Sequence, residues 1–222
     1  MDFGRAFSFV FEDPDWLKKV AIAGLVMLIP VIGQLVVLGW ALNITKRVMD
    51  GSSYVLPDID FGGDLGRGFM AFVIGFVYSL PVTLVSSFMG IVNSVLGMNM
   101  DSDSSAIAIL IMILFSCLGI FSFLYGIFIA LLLPAAYTRY LEENSLGAAF
   151  NLSKVFAMVK ANIGAYFIVL LGMICASLVS SLGVIACAIG VIFTSAYATA
   201  VIGHLYGQAY VDTKRKLGAA VI

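Results

Sequence analysis

The chain has 222 residues, of which 62% are hydrophobic and only 11% charged, with a formal net charge of -1. Soluble domains carry about a quarter charged residues, so a mean hydropathy of +1.08 marks lipid rather than water as the main solvent. A chain with no basic surplus cannot neutralise a phosphate backbone, which excludes nucleic acid as a partner.

Phe3, Phe7, Val10 and Phe11 recur at helical spacing, with Asp2, Arg5, Ser8 and Glu12 elsewhere on the wheel. This predicts an amphipathic helix over 3–12 that lies in the membrane interface. Asp13-Pro14-Asp15-Trp16 ends it: Asp13 can cap the next helix, Pro14 suits its first position, and Trp16 suits the headgroup layer. Asp13, Pro14 and Trp16 are therefore interfacial anchors.

The segment 17–46 contains an uncharged run from Val20 to Thr45, interrupted by Pro30-Val31-Ile32-Gly33-Gln34. One crossing needs roughly 20 residues and two need roughly 40. The run is long for one and too short for two. Either it is a re-entrant hairpin that turns at Pro30 to Gly33, or it is one tilted, Pro-kinked span that leaves the N-terminus outside.

A polar connector follows, with turn signals at Asp50-Gly51 and Leu56-Pro57-Asp58. Spans are expected over 68–97 and 106–138, joined outside the membrane by the acidic segment holding Asp101 and Asp103. Pro81 kinks the first, and Pro134 marks the inner end of the second. Glu142 and Glu143 read as solvated charges. A second amphipathic helix is expected over 145–160, with Leu146, Ala149, Leu152, Phe156 and Val159 on one face. Spans over 162–182 and 184–211 complete the chain, with a tight turn near Ser180 to Gly183.

All 12 Lys and Arg residues fall into four clusters between these runs: Arg5/Lys18/Lys19, Lys46/Arg47/Arg67, Arg139/Lys154/Lys160 and Lys214/Arg215/Lys216. Basic segments stay on the cytoplasmic side, so every apolar run should leave that face and return, with the C-terminus cytoplasmic. The expected architecture is a single membrane domain over 1–222. It is all-α, a polytopic integral membrane helical bundle with interfacial helices and a Pro-broken N-terminal segment.

Few residues suggest chemistry. In the last span Thr194, Tyr197, His204 and Gln208 share one side of a helix, beside a stripe of Ala196, Ala200, Gly203 and Gly207. That face serves either close helix packing or a polar pathway with His204 as a titratable member. Gln34 stands beside the helix break at Pro30 and Gly33, where it either satisfies freed backbone groups or lines a ligand site. No expected span carries an Asp, Glu, Lys or Arg, which counts against ion-coupled pumps. No Gly-x-Ser-x-Gly elbow, phosphate loop or HExxH occurs, so no enzyme is expected. Cys117, Cys175 and Cys187 lie in apolar runs and are expected to pack there. No cofactor or metal is expected.

The run Phe11-Glu12-Asp13-Pro14-Asp15-Trp16-Leu17-Lys18-Lys19 is followed by Gly24-Leu25, then Ile29-Pro30-Val31-Ile32-Gly33-Gln34, Gly39 and Leu56-Pro57-Asp58. Over residues 3 to about 80 this resembles the prokaryotic membrane-protein family of domain-of-unknown-function 4013. The resemblance implies a protein of the prokaryotic cell membrane and brings no catalytic residues with it. The expected function is a non-enzymatic membrane-organising or accessory protein. Its partners would be lipids, a partner membrane subunit or a second copy of itself. The competing expectation is a small-solute transporter or channel using the Pro30–Gln34 break and the His204 stripe.

Overall fold

The computed structural model describes residues 1–99 and 105–219, with side chains over 1–95, 109–184 and 190–218. Asp101 and Asp103 of the expected external segment lie outside the described residues. Every described element is helical: α1 (Phe3–Ser8), a 3-10 turn (Phe9–Glu12), α2 (Trp16–Met27), α3 (Ile32–Met49), α4 (Phe61–Asn99), α5 (Ser105–Glu143), α6 (Leu146–Phe150), α7 (Leu152–Ala161), α8 (Ile163–Leu182), a 3-10 turn (Gly183–Ala186) and α9 (Cys187–Ala219). Among the described residues, α4, α5 and α8 are long and apolar enough to cross a membrane. The fold is an all-α membrane bundle.

Two compact units make up the chain: Met1–Ile74 with Leu131–Ile222, and Gly75–Ala130. In the first, α9 is the hub, with α1, α2, α3, α7 and α8 all packed against it. Its stripe of small residues makes this possible. Ala196 and Ala200 sit in the hydrophobic core beside Trp40, Val37 and Ile44. A Cβ on Gly203 would overlap the Ala41 carbonyl, and one on Gly207 would meet Val48 and the Thr45 carbonyl. Where the backbones touch, Thr45 Oγ1 donates to both Ala41 O (3.0 Å) and Gly203 O (2.8 Å). Association in lipid gains little from the hydrophobic effect, so close backbone approach and interhelical hydrogen bonds must supply the attraction.

The loop after α3 is bound into the same core. Leu56 is fully buried, Trp40 Nε1 donates to Pro57 O at 2.9 Å, and Lys19 Nζ donates to Leu56 O at 3.0 Å. The connector expected to be simply polar thus supplies core residues. α4 starts at Phe61, earlier than the expected 68. Its fully buried Asp64 reaches back to accept from Asp60 N (3.0 Å), just ahead of the helix, and pairs with Arg67.

α2 and α3 pack on each other and are separated by a sharp turn. Val31 stands at its centre with φ 65 and ψ -61, and Ile32 N donates to Pro30 O at 2.7 Å. This is a γ-turn of the rare positive-φ form, strained for a β-branched residue. Leu28 N, Ile29 N and Gly33 N donate to Leu25, Val26 and Ile29 carbonyls, and Pro30 has no N–H to place. Gly33 lies so close to the Val26 carbonyl that no Cβ would fit.

Three expected features take a different form. The 3–12 helix is α-helical only to Ser8. The tighter winding beyond that point turns Phe9 and Val10 into the core and leaves Phe11 exposed. The 145–160 helix divides at Asn151, whose side chain caps Lys154 N (3.2 Å); Val155, Met158 and Val159 are then buried while Leu152 and Phe156 are exposed. Glu142 and Glu143 are not free solvated charges. Both pair with Arg139, and Glu142 also accepts from Lys214 Nζ at 2.6 Å.

In the second unit, α4 and α5 meet through Tyr125, whose hydroxyl donates to Tyr78 O at 3.2 Å. Phe76, Leu84, Phe88, Ile113, Ile120 and Phe123 are all exposed, and so is Cys117. Cys175 of the first unit is half-buried, and the side chain of Cys187 lies outside the described ones.

Gly203→Val should force α3 and α9 apart and lower stability by about 1–3 kcal/mol or more. Gly66→Ala, where a Cβ meets open space, should leave the fold intact and raise stability by up to about 1 kcal/mol. Detergent-based thermal unfolding of both variants checks this contrast. Val31→Gly removes the strain, worth about 1–3 kcal/mol, against a smaller loss from the freer unfolded chain. The same measurement should show a net gain.

Candidate functional site

The polar face of α9 grips the N-terminal segment, which runs antiparallel along it. Tyr197 OH donates to Phe7 O at 2.6 Å. The Phe9 ring stacks on His204 with centroids 4.3 Å apart and an interplanar angle of 21°. Gln208 engages Asp2 twice: Asp2 N donates to Oε1 (2.8 Å) and Nε2 donates to Asp2 O (2.9 Å). Gln208 Nε2 also lies 3.2 Å from His204 Nδ1. Tyr197, His204 and Gln208, singled out by spacing, therefore come together on one docking face.

Gln34 does not join them. It is exposed on the first turn of α3, whereas the cavity beside His204 is lined at that helix's last turn by Val48. Fourteen residues of helix, about 21 Å, separate the two. Thr194 faces elsewhere as well, donating to Ser180 O and Gly190 O at 3.0 Å each. Pro30 and Gly33 form the turn already described.

Among the anchors, Asp13 organises the start of α2. It accepts from Asp15 N (2.8 Å) and from Lys19 Nζ (2.7 Å). Burial alone would raise its carboxyl, but the Lys19 hydrogen bond, the Asp15 amide and the Lys19 charge hold it below the ordinary value. Pro14 falls just ahead of the N-cap Asp15, not inside the helix. Trp16 is half-buried, packs against the core and stands edge-on to Phe11 at 4.9 Å.

A cavity of about 460 Å³ with a mixed polar and apolar lining opens where the N-terminal segment, the end of α3 and the end of α9 converge. Arg5, Ser52, His204, Gln208, Asp212 and Arg215 line it. His204 is 3% exposed and forms part of its wall. Asp212 accepts from Asn162 Nδ2 (3.2 Å) and lies 3.5 Å from the Met1 amine and 3.8 Å from Arg215. Burial would raise its carboxyl, yet the Asn162 hydrogen bond and these positive charges keep it below the usual range. Arg5, Asp212 and Arg215 were not singled out from the sequence. The only signal pointing to them was charge placement, which puts the first and last basic clusters on one side of the membrane.

A family model described as "Protein of unknown function (DUF4013)" matches residues 22–189. The match takes in the α2–α3 turn and runs through α8, far beyond the residue-80 limit of the motif residues. It begins after Phe11–Lys19, so that run lies outside it. His204, Gln208 and Arg215 lie outside it too. No curated protein and no solved structure matches the chain. With the match spanning more than half of its length, the chain belongs to the DUF4013 family of membrane proteins of unknown function.

Proposed function

We propose that this protein is a non-enzymatic, membrane-organising or accessory subunit of the prokaryotic cell membrane. Its basic clusters and C-terminus would lie on the cytoplasmic side. One observation carries the reading: Tyr197 and Gln208, the polar groups that could line a pathway through α9, are spent holding residues 2–7. The exposed apolar faces of α4, α5 and α8 support lipids, a partner membrane subunit or a second copy as the covering partner. An open apolar cleft of about 620 Å³ among Trp16, Leu17, Val179 and Phe193 offers further lipid contact.

The N-terminal segment fits a re-entrant hairpin. α2 has 12 residues, about 18 Å, which falls short of a bilayer core of about 30 Å. Leu28, Ile29, Val31 and Ile32 at its tip are exposed and apolar, while the turn's amide donors are largely satisfied locally. That is what hydrocarbon demands of irregular backbone.

The alternative is a small-solute transporter or channel, favoured by the cavity beside His204 with its charged side chains. The separation of Gln34 from that cavity weighs against it, because the helix break and the polar stripe do not meet.

Two measurements test these readings. Ser8 is exposed, so Ser8→Cys in a background lacking Cys117, Cys175 and Cys187 should react only with a reagent added on the cytoplasmic side. External labelling would eliminate the hairpin. Purification from native membranes should return a stoichiometric partner or a homo-oligomer. Saturable solute flux in reconstituted vesicles, lost in Gln34→Ala or His204→Ala, would overturn the accessory reading.

A further inference from the structure

We propose that the cavity beside His204 is a binding site for a phosphate-bearing group, held by Arg5, Arg215 and the Nε2–H of His204. This goes beyond the accessory role, which makes no demand on the cavity.

The argument begins with a backbone. Asp2 offers Gln208 one N–H, which can only donate, and one C=O, which can only accept. The two bonds at 2.8 and 2.9 Å therefore fix the amide with Oε1 toward Asp2 N and Nε2 toward Asp2 O. The second hydrogen of Nε2 then points at His204 Nδ1, 3.2 Å away. Nδ1 must accept, so the neutral ring carries its proton on Nε2. Phe9 stacked on the ring keeps it from turning. His204, part of the cavity wall, thus has a ring N–H donor and no free acceptor left to offer.

The other polar groups divide the same way. The carboxylates are engaged: Asp2 Oδ1 accepts from Arg5 N at 2.9 Å, and Asp212 Oδ2 accepts from Asn162 Nδ2 at 3.2 Å. The guanidinium groups are ion-paired at most loosely and spend no hydrogen bond on those partners. Arg5 approaches Glu12, and Arg215 approaches Asp212, only to 3.8 Å, beyond hydrogen-bond range. Their side chains remain 60% and 74% exposed. The unspent capacity is therefore donor capacity: two forked guanidinium groups and one ring N–H. Paired arginines suit a tetrahedral oxyanion, which each can engage with two parallel N–H···O bonds. Ser52 on the rim adds a hydroxyl. At about 460 Å³ the cavity exceeds a bare phosphate and has room for the group that carries it. A phospholipid headgroup and a soluble phosphate compound share this chemistry.

The test uses the full-length protein in nanodiscs and in detergent. Native mass spectrometry of nanodiscs containing phosphatidylcholine with phosphatidic acid or phosphatidylglycerol should show selective retention of the anionic lipid if the source is a headgroup. Saturable stabilisation by inorganic phosphate in detergent, without lipid selectivity, would identify a soluble source, and either result supports the site. Arg5→Gln/Arg215→Gln should weaken the effect about tenfold or more per arginine. Both side chains are largely exposed, so the variant should still fold. Lys18→Gln, an exposed basic residue outside the cavity, should change nothing. The proposal falls if neither probe binds, if the double variant binds as well as the native chain, or if Lys18→Gln costs as much. Recovery of a partner from native membranes is scored separately, so loss of one reading leaves the other standing.

Discussion

Everything in the first unit depends on how closely the backbones of α3 and α9 approach. In water, burial of Leu and Val faces would hold two such helices together. In hydrocarbon the tails are as apolar as those side chains, and the driving force is largely lost. Gly203 and Gly207 replace it with backbone contact, which multiplies dispersion terms of about 0.1–0.2 kcal/mol per atom pair. Thr45, bonded across to Gly203 O, adds a direct link. Once α3 is seated, Trp40 is positioned to receive Pro57, and the loop carrying Leu56 closes over Phe9 and Val10. The N-terminal segment is then held between that loop and the polar face of α9.

The sharp turn between α2 and α3 presents a second trade-off, on the proposed reading that it lies at membrane depth. A positive φ at Val31 costs on the order of 1–3 kcal/mol. A backbone group left unsatisfied in hydrocarbon costs several kcal/mol. On that reading, the γ-turn that places Ile32 N on Pro30 O accepts the smaller cost to avoid the larger one. Proline contributes by having no N–H, and Gly33 by letting α3 start directly against the Val26 carbonyl.

The sequence made the apolar helices α4, α5 and α8 legible because apolar run length is a nearly direct readout of bilayer thickness. The expected span over 184–211 is not among the helices long and apolar enough to cross within the described residues. It also located the break, since Pro30 and Gly33 have few other uses inside an apolar run. Tyr197, His204 and Gln208 share a face of α9 because 3.6-residue periodicity places them there whatever that face meets, whereas Thr194, expected on the same side, bonds to Ser180 O instead. What the face meets was not legible: Asp2 and Gln208 are 206 positions apart, and no local pattern encodes a contact of that range. The 3-10 turn at Phe9–Glu12 was missed for a related reason. Helical periodicity fits residues 3–12 well, and tertiary packing of Phe9 on His204 overrides it. Glu142 and Glu143 looked solvated because adjacent residues diverge on a helix, yet a single Arg139 reaches both from the preceding turn.

The two units also differ in where their glycines go. In the first, Gly24, Gly39, Gly68, Gly203 and Gly207 each sit where a Cβ would strike neighbouring backbone or side chain, while Gly66, Gly164 and Gly218 face open space. In the second, Gly90, Gly119 and Gly126 face open space. A glycine inside a helix costs about 1 kcal/mol relative to alanine, so three retained without an internal contact are an uncompensated expense within the chain. The same small residues are what another helix needs for close approach. The surrounding Phe88, Ile120 and Phe123 are exposed and apolar, unlike the buried small-residue face of α9. The first unit uses several of its small residues to hold itself together; those of the second make no such internal contact, which supports the covering partner proposed above.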